Sequence, residues 1–232
     1  MFKSIIRWFR AENLLAQAKD QVLEMLREDL QMYKDSVKCL WKDKGVSIDE
    51  IRERDREINR HVREVRKKVL THLAFSGTSG LETCLVILSM VVDIERIGDY
   101  TKDITYLASD YPGKFNPGAF EKELMDFEWA LAERLEMLID IVESEEDEKA
   151  RRLAKTHKDM DRDYRKMLDR LINGKDSGLT HGQSAMLALY LRYPRRIEGH
   201  VFNIASAEVN PFHRIGFKVT KKKKEQKAES PS

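Results

Sequence analysis

Apolar residues recur every three or four positions over long segments of the chain, the spacing that places them on one side of an α-helix. Polar and charged residues fill the positions between them, and turn residues or helix caps separate the segments; Ser47 with Glu50 three residues later predicts a capping box at the start of the second. The pattern predicts six helices, at about residues 11–40, 48–73, 81–107, 120–142, 148–172 and 181–209. With only 11 glycines and 5 prolines in 232 residues, we expect an all-α fold.

The six predicted helices fall into two halves of similar length and order. Residues 95–104, ERIGDYTKDI, lie 100 positions before residues 195–204, RRIEGHVFNI, and share one Arg and two Ile with them. A weak repeat at the same point of a repeated helix order indicates tandem domains. We therefore predict two three-helix bundles of six long antiparallel helices, the first at 11–113 and the second at 114–212.

Both ends of the chain are basic. Residues 1–10 place Phe2, Ile5 and Ile6 on one side and Lys3 and Arg7 on another, which suits either a helix docked on its own core or a dimer partner, or a peripheral contact with an anionic membrane. Residues 213–232 end in lysine, glutamate and serine with no apolar period, so we expect a basic, disordered tail.

Composition narrows the class of protein. The chain is 41% hydrophobic and 35% charged, as in soluble globular proteins, and its net charge of +2 gives no bias toward nucleic acid. No signal peptide is apparent, and the longest apolar run, residues 84–92, is half the length of a membrane span. Cys39 and Cys84 have no zinc-binding spacing, so we expect free thiols in a reducing cytoplasm.

The third predicted helix carries the chemistry that needs explanation. Its apolar stripe through Leu88 and Val92 continues, on the same side, as Glu95, Asp99 and Asp103. Charged carboxylates on the continuation of a core stripe would cost several kcal/mol each if they were unpaired. Two alternatives follow. The carboxylates line a solvated groove and form ion pairs with Arg96 and Lys102, although two basic side chains would leave some carboxylates unpaired. Alternatively, they are the oxygen ligands of a metal site.

Other oxygen-bearing side chains support the metal alternative. Asp55 and Asn59 lie four residues apart in the stripe of the second helix, where an antiparallel neighbour would face Glu95 and Asp99. Asp159 and Asp163 have the same spacing on the fifth helix. The sequence has no Glu-x-x-His pair of the di-iron type, nucleotide-binding glycine loop or nucleophile with a base, and so gives little support for catalysis.

The ERIGDYTKDI segment, together with Asp55-x-x-Ile-Asn59, resembles the signature of the PhoU family of phosphate-uptake regulators over about residues 12–210. The resemblance implies tandem three-helix bundles whose E(D)-x-x-x-D motifs hold metal ions, often iron clusters; manganese, magnesium, zinc and calcium are alternatives. The implied first site consists of Asp55, Asn59, Glu95, Asp99 and Asp103. Asp103 stands where the family usually has Asn, and Asn59 where an Asp is common.

The second motif departs from the family pattern. Arg195 replaces the Glu, Glu198 the Gly and Gly199 the Asp, while His200 and Asn203 remain. Pro194, one residue earlier, should kink or restart the sixth helix. We therefore expect an intact first site and a weak or empty second one, formed by Asp159, Asp163 and His200.

The family resemblance also implies a function. The expected protein is a cytoplasmic, homodimeric, non-enzymatic adaptor that restrains phosphate uptake and phosphate-starvation signalling. Its implied partners are the ATPase subunit of a phosphate ABC transporter and, in bacteria, a sensor histidine kinase. Two alternatives remain: an accessory subunit of a sodium- or proton-coupled phosphate transporter, and an enzyme that uses the same carboxylates with a metal.

Overall fold

The computed structural model describes residues 2–41, 47–111, 113–174 and 178–219, with side chains from residue 13 onward in these ranges. It contains all six predicted helices. Their bounds are α1 Phe2–Trp41, α2 Ile48–Ser76, α3 Leu81–Asp110, α4 Glu121–Ser144, α5 Asp147–Ile172 and α6 His181–Ala207. Two short 3-10 helices, Gly118–Phe120 and Phe212–Arg214, complete the secondary structure of the described residues. The all-α prediction is confirmed.

Helix caps fix where two of the helices begin. Ser47 and Glu50 form the predicted capping box at the start of α2, each side chain accepting a hydrogen bond from the other residue's backbone nitrogen. Thr180 and Gln183 form a second capping box at the start of α6, which the sequence analysis missed. These caps satisfy backbone donors that the first turn of a helix leaves free.

Each half of the chain packs three helices around an apolar core. In the first half α1, α2 and α3 pack against one another, and in the second α4, α5 and α6 do so. The apolar stripes predicted for the helices supply the core, which includes Leu26, Val65, Ile94, Leu131, Leu153 and Ile197, all at most 1% exposed. The tandem three-helix bundles are thus present.

The two bundles meet along α3 and α6, with a further contact between α1 and α4. Helices α3 and α6 begin 100 residues apart, at Leu81 and His181, so the weak sequence repeat is also a structural one. Asp93 on α3 contacts His200 on α6, and Tyr193 on α6 lies beside Tyr100 on α3. With the repeat offset of 100, residue 93 is equivalent to residue 193 and residue 100 to residue 200. The contact between 93 and 200 is therefore repeated by the contact between 193 and 100, as in a twofold-symmetric interface.

Two expectations about the C-terminal half need correction. Helix α6 continues through Pro194 as a single element, so the proline does not restart it. The segment that begins at residue 213, expected to be disordered, is partly anchored: Asn210 Nδ2 donates to the carbonyl oxygens of Arg214 and Phe217, each at 3.1 Å, and Gly216 N donates to Ser206 Oγ at 2.8 Å.

Some expectations concern residues outside the described part. The lysine run and the rest of the tail, residues 220–232, lie outside it, as do the side chains of the amphipathic segment 1–10. Within the described helices, no segment is both long and apolar enough to cross a membrane.

Candidate functional site

Helices α2 and α3 bring Asp55 and Asp99 to opposite sides of one ammonium group. Lys102 Nζ lies 2.8 Å from Asp55 Oδ2 and 3.2 Å from Asp99 Oδ1. The Lys102 side chain is 20% exposed and that of Asp55 13%, so this bridge is shielded from much of the solvent. The two carboxylates raise the pKa of Lys102, although burial opposes them.

The remaining predicted ligands surround this bridge. Asp99 Oδ2 accepts a hydrogen bond of 3.0 Å from the exposed Arg96, and Asn59 Nδ2 donates to the backbone oxygen of Asp55 at 2.9 Å. Asp103 is partly buried, and its pKa is raised mainly by that burial, with Lys102 opposing the shift. Glu95 is partly exposed and makes no ion pair with any described residue.

A further carboxylate, which the sequence analysis missed, lies beneath the cluster. Asp29 on α1 is fully buried, and neither of its side-chain oxygens has a hydrogen-bond partner among the described residues. Burial, followed by the charges of Glu28, Asp55 and Asp99, raises its pKa well above the usual range. The Asp29 carboxyl group therefore keeps its proton to a higher pH than an exposed aspartic acid does.

Gly98 on α3 leaves room for the buried side chain of Asp29. A Cβ atom at residue 98 would lie 3.0 Å from Asp29 Oδ1 and 3.3 Å from Ile58 Cδ1. Any larger residue would have to displace one of the two side chains. The glycine of the ERIGDY segment therefore admits a carboxyl group from α1 against the backbone of α3.

The site combines five carboxyl groups with two basic side chains. The acids are Asp29, Asp55, Glu95, Asp99 and Asp103, and the bases are Arg96 and Lys102. Oxygen donors of this kind are those that hard cations prefer. However, no three histidine, cysteine or acidic side chains among the described residues converge on one point as metal ligands would. The donor set suits a hard metal, whereas in the present arrangement Lys102 bridges Asp55 and Asp99.

The three residues predicted for a second site do not come together. Asp159 and Asp163 are more than half exposed and pair with Arg162, and Asp163 also pairs with Lys166. His200 faces the other bundle, where its Nδ1 lies 2.7 Å from Asp93 Oδ1. Asp159 and Asp163 thus lie on a solvent-exposed face of α5, where they form ion pairs.

An ion pair occupies the position that corresponds to Gly98 in the second bundle. Glu198 on α6 is 2% exposed and accepts two hydrogen bonds of 2.7 Å from Arg134 on α4. Its Oε1 also lies 3.0 Å from His157 Nδ1 on α5. The carboxylate of Glu198 is therefore matched by a cation from within the second bundle, whereas the Asp29 carboxyl group of the first bundle has no such partner.

Comparison with known proteins agrees with the fold and with the resemblance. Residues 22–108 match the model of the PhoU domain. The structure is similar to the crystal structure of PhoU from Pseudomonas aeruginosa, with 21% identity and a TM-score of 0.77, covering 85% of this chain and 96% of that one. It is also similar to the crystal structure of the phosphate transport system regulatory protein PhoU from Streptococcus pneumoniae, with 17% identity and a TM-score of 0.74, covering 86% of this chain and 95% of that one.

No curated protein sequence matches the chain. The PhoU-domain match spans α2, the second half of α1 and nearly all of α3, and so includes every carboxylate of the cluster around Lys102. The structural matches extend the likeness to the second bundle. Residues 22–108 thus match the PhoU domain, and the two bundles together have a fold similar to that of two PhoU crystal structures.

Proposed function

We propose that the chain is a regulator of phosphate uptake that acts by binding partners rather than by catalysis. The observation that carries this proposal is the PhoU-domain match over residues 22–108, because it includes the cluster of Asp29, Asp55, Asp99 and Lys102. The regulatory protein from Streptococcus pneumoniae, whose name refers to a phosphate transport system, supports the same role. We further propose that the protein works in the cytoplasm as a homodimer.

The proposed partner is the ATPase subunit of a phosphate ABC transporter, with a sensor histidine kinase as a second partner if the source is bacterial. The test is to measure phosphate uptake in cells that lack the protein and in the same cells complemented with it. Faster uptake without the protein, reversed by complementation, is the expected result. Unchanged uptake and unchanged expression of starvation genes would refute the proposal. Co-purification with a secondary phosphate transporter instead of an ABC transporter would favour the accessory-subunit alternative.

The proposed regulator binds a hard metal ion, or an iron cluster, at the carboxylates of the first bundle. Asp55, Glu95, Asp99 and Asp103 would supply the oxygens, and Asn59 would hold Asp55 in place through its hydrogen bond to that residue's backbone. Lys102 now contacts two of the four acids, so metal binding requires this side chain to move away. The metal would supply a cation of higher charge at the same position.

Elemental analysis of protein purified without chelator tests the metal proposal. We expect wild type to carry metal and the Glu95→Ala/Asp99→Ala variant to lose it while its far-UV circular dichroism stays helical. The matched comparison is Asp159→Ala/Asp163→Ala, which removes an exposed acid pair of the same spacing in the second bundle. Metal retained by the first variant, or absent from wild type after reloading, would show that the cluster is an ion-paired surface.

A further inference from the structure

The second bundle contains a cavity of about 350 Å³ between α5 and α6. Its ionisable lining consists of two arginines, two histidines and two carboxylates: Arg195, Arg196, His157, His200, Asp161 and Glu198. The amide of Asn203 also lines it. The first bundle has Glu95 and Asp99 where this bundle has Arg195 and Gly199. A Cβ atom at Gly199 would meet nothing within 4 Å, so the cavity is open at the position where the first bundle carries an acid.

Both arginines keep most of their hydrogen-bond donors free for a ligand. Arg195 uses Nε to reach Asp161 Oδ1 at 3.0 Å, and Arg196 uses Nε to reach the Tyr100 hydroxyl at 3.1 Å. Neither terminal nitrogen of either guanidinium has a hydrogen bond to a described residue. The terminal amino groups of arginine form the fork that binds two oxygens of an anion.

The carboxylates near the cavity are already matched by cations. Asp161 also accepts a hydrogen bond of 2.7 Å from Arg165, and Glu198 is held by Arg134, neither of which lines the cavity. Arg196 has no carboxylate partner among the described residues. Counting these groups with Asp93, four arginines face three carboxylates, so the surroundings carry an excess positive charge before either histidine is counted.

The histidines add acceptors rather than donors. His200 Nδ1 lies 2.7 Å from Asp93 Oδ1 and His157 Nδ1 lies 3.0 Å from Glu198 Oε1. Because a carboxylate oxygen accepts, each Nδ1 carries a proton and leaves Nε2 as the acceptor of the neutral ring. His200 Nε2 is buried and has no hydrogen-bond partner among the described residues. Such a group is costly unless a ligand satisfies it.

We propose that this cavity binds a small oxyanion that carries a hydroxyl of its own, with inorganic phosphate as its simplest form. The anionic oxygens accept from the terminal nitrogens of Arg195 and Arg196, and the P–OH group donates to His200 Nε2. Sulfate has the same shape and charge but no proton near neutral pH, so the imidazole acceptor discriminates against it. This assignment rests on the cavity and not on the proposed role in phosphate uptake.

Isothermal titration calorimetry of the full chain with sodium phosphate, and separately with sodium sulfate at equal ionic strength, tests the assignment. We expect phosphate to bind saturably, and sulfate at least tenfold more weakly. Arg196→Gln should weaken phosphate binding at least tenfold, whereas Arg192→Gln, which changes an exposed arginine on the same helix outside the cavity, should change it less than twofold. His200→Asn keeps a donor to Asp93 but removes the Nε2 acceptor, and should erase the preference over sulfate.

Three outcomes would overturn the assignment. They are no saturable binding of phosphate, equal binding of the two anions by wild type, and equal loss in Arg192→Gln and Arg196→Gln, which would indicate general attraction to basic side chains. Unchanged far-UV circular dichroism of each variant confirms that the fold is retained. The uptake experiment is independent, so a failure of this site and a failure of the proposed function can be told apart.

Discussion

Lys102 places its ammonium nitrogen 2.8 Å from Asp55 Oδ2, joining α3 to α2 within the carboxylate cluster of the first bundle. The same nitrogen contacts Asp99 on its own helix. One monovalent side chain thus bridges two carboxylates, at the position of the proposed metal ion. We therefore expect its removal to affect the stability of the metal-free protein and the binding of metal in opposite directions.

The first prediction concerns Lys102→Met. Without metal, the variant leaves the largely buried Asp55 without a cation and Asp99 with only the exposed Arg96, so we expect the free energy of unfolding to fall by about 1 to 3 kcal/mol. With a hard metal present, the variant should bind it more tightly than wild type, because no ammonium has to be displaced. Thermal denaturation with and without chelator, together with metal titration, measures both effects. Arg96→Gln removes an exposed partner of Asp99 and should cost less than about 1 kcal/mol.

The second prediction concerns the buried, unpartnered Asp29. Its pKa is raised in the folded state, so the folded protein retains a proton that the unfolded chain releases, and stability falls as pH rises above about 4. Asp29→Leu removes the polar group and should stabilise the metal-free protein at pH 7 by about 1 to 3 kcal/mol, with a smaller gain at pH 4. Denaturant unfolding in chelator at several pH values measures this.

Asp29→Asn separates charge from polarity at the same position. The amide cannot ionise, so the variant should lose the pH dependence that Asp29 contributes while keeping part of the cost of a buried polar group. An Asp29→Leu variant that is less stable than wild type at pH 7 in chelator would mean that the carboxyl group has a stabilising partner.

The third prediction concerns Glu128 on α4, a buried carboxyl group between the two bundles. It accepts hydrogen bonds from Tyr190 and, at 2.9 Å, from Trp41 Nε1, yet burial outweighs both and raises its pKa to about 7. Stability is therefore lost as pH rises from about 4.5 to 7, by up to about 3 kcal/mol. In Glu128→Gln, the amide oxygen can accept from Trp41 and the amide nitrogen can donate to Tyr190.

We expect the free energy of unfolding of Glu128→Gln to depend less on pH between 4.5 and 7 than that of wild type. The stability of the variant relative to wild type should therefore increase as pH rises. Glu133→Gln, an exposed change on the same helix, should follow wild type throughout. Parallel curves for wild type and Glu128→Gln would mean that Glu128 is ionised in the folded protein over this whole range.

The fourth prediction is a double-mutant cycle at the buried pair of Arg134 and Glu198. Arg134→Met leaves a carboxylate that is 2% exposed without its guanidinium and should cost about 3 to 5 kcal/mol. Adding Glu198→Leu removes the uncompensated charge, so the double variant should be more stable than the single one. Denaturant titration of the four proteins gives the coupling energy, and strict additivity of the two changes would contradict the interpretation.

The helices were predictable because their periodicity and caps are local properties of the sequence. Ser47 and Glu50, three residues apart, sufficed to locate the start of α2. The partners of the charged residues were not predictable, because they depend on how the helices are rotated against one another. Lys102 was expected to neutralise part of one row on α3, but it also reaches Asp55 on α2. His200 was grouped with Asp159 and Asp163, yet it faces the opposite bundle.

The burial of Asp29 could have been predicted from its place in the apolar stripe of α1. It lies four residues after Met25 and four before Tyr33, both at most 1% exposed, so it occupies the buried face of α1. An acidic residue at a core position of an otherwise apolar stripe either pairs with another polar group or has a shifted pKa. What the sequence could not reveal is that Gly98 provides the space beside it.

The reciprocal contact between α3 and α6 makes one chain behave as two related subunits fused in sequence. In a true homodimer every substitution appears twice, so an acid introduced on one side of the axis is introduced on the other as well. Fusion removes that constraint. The equivalent residues Asp93 and Tyr193 differ in the two repeats. So do Gly98, which lies beside the unpartnered Asp29, and Glu198, which pairs with Arg134. The cation site proposed for the first bundle and the anion site proposed for the second can therefore occupy corresponding positions of the repeat without constraining each other.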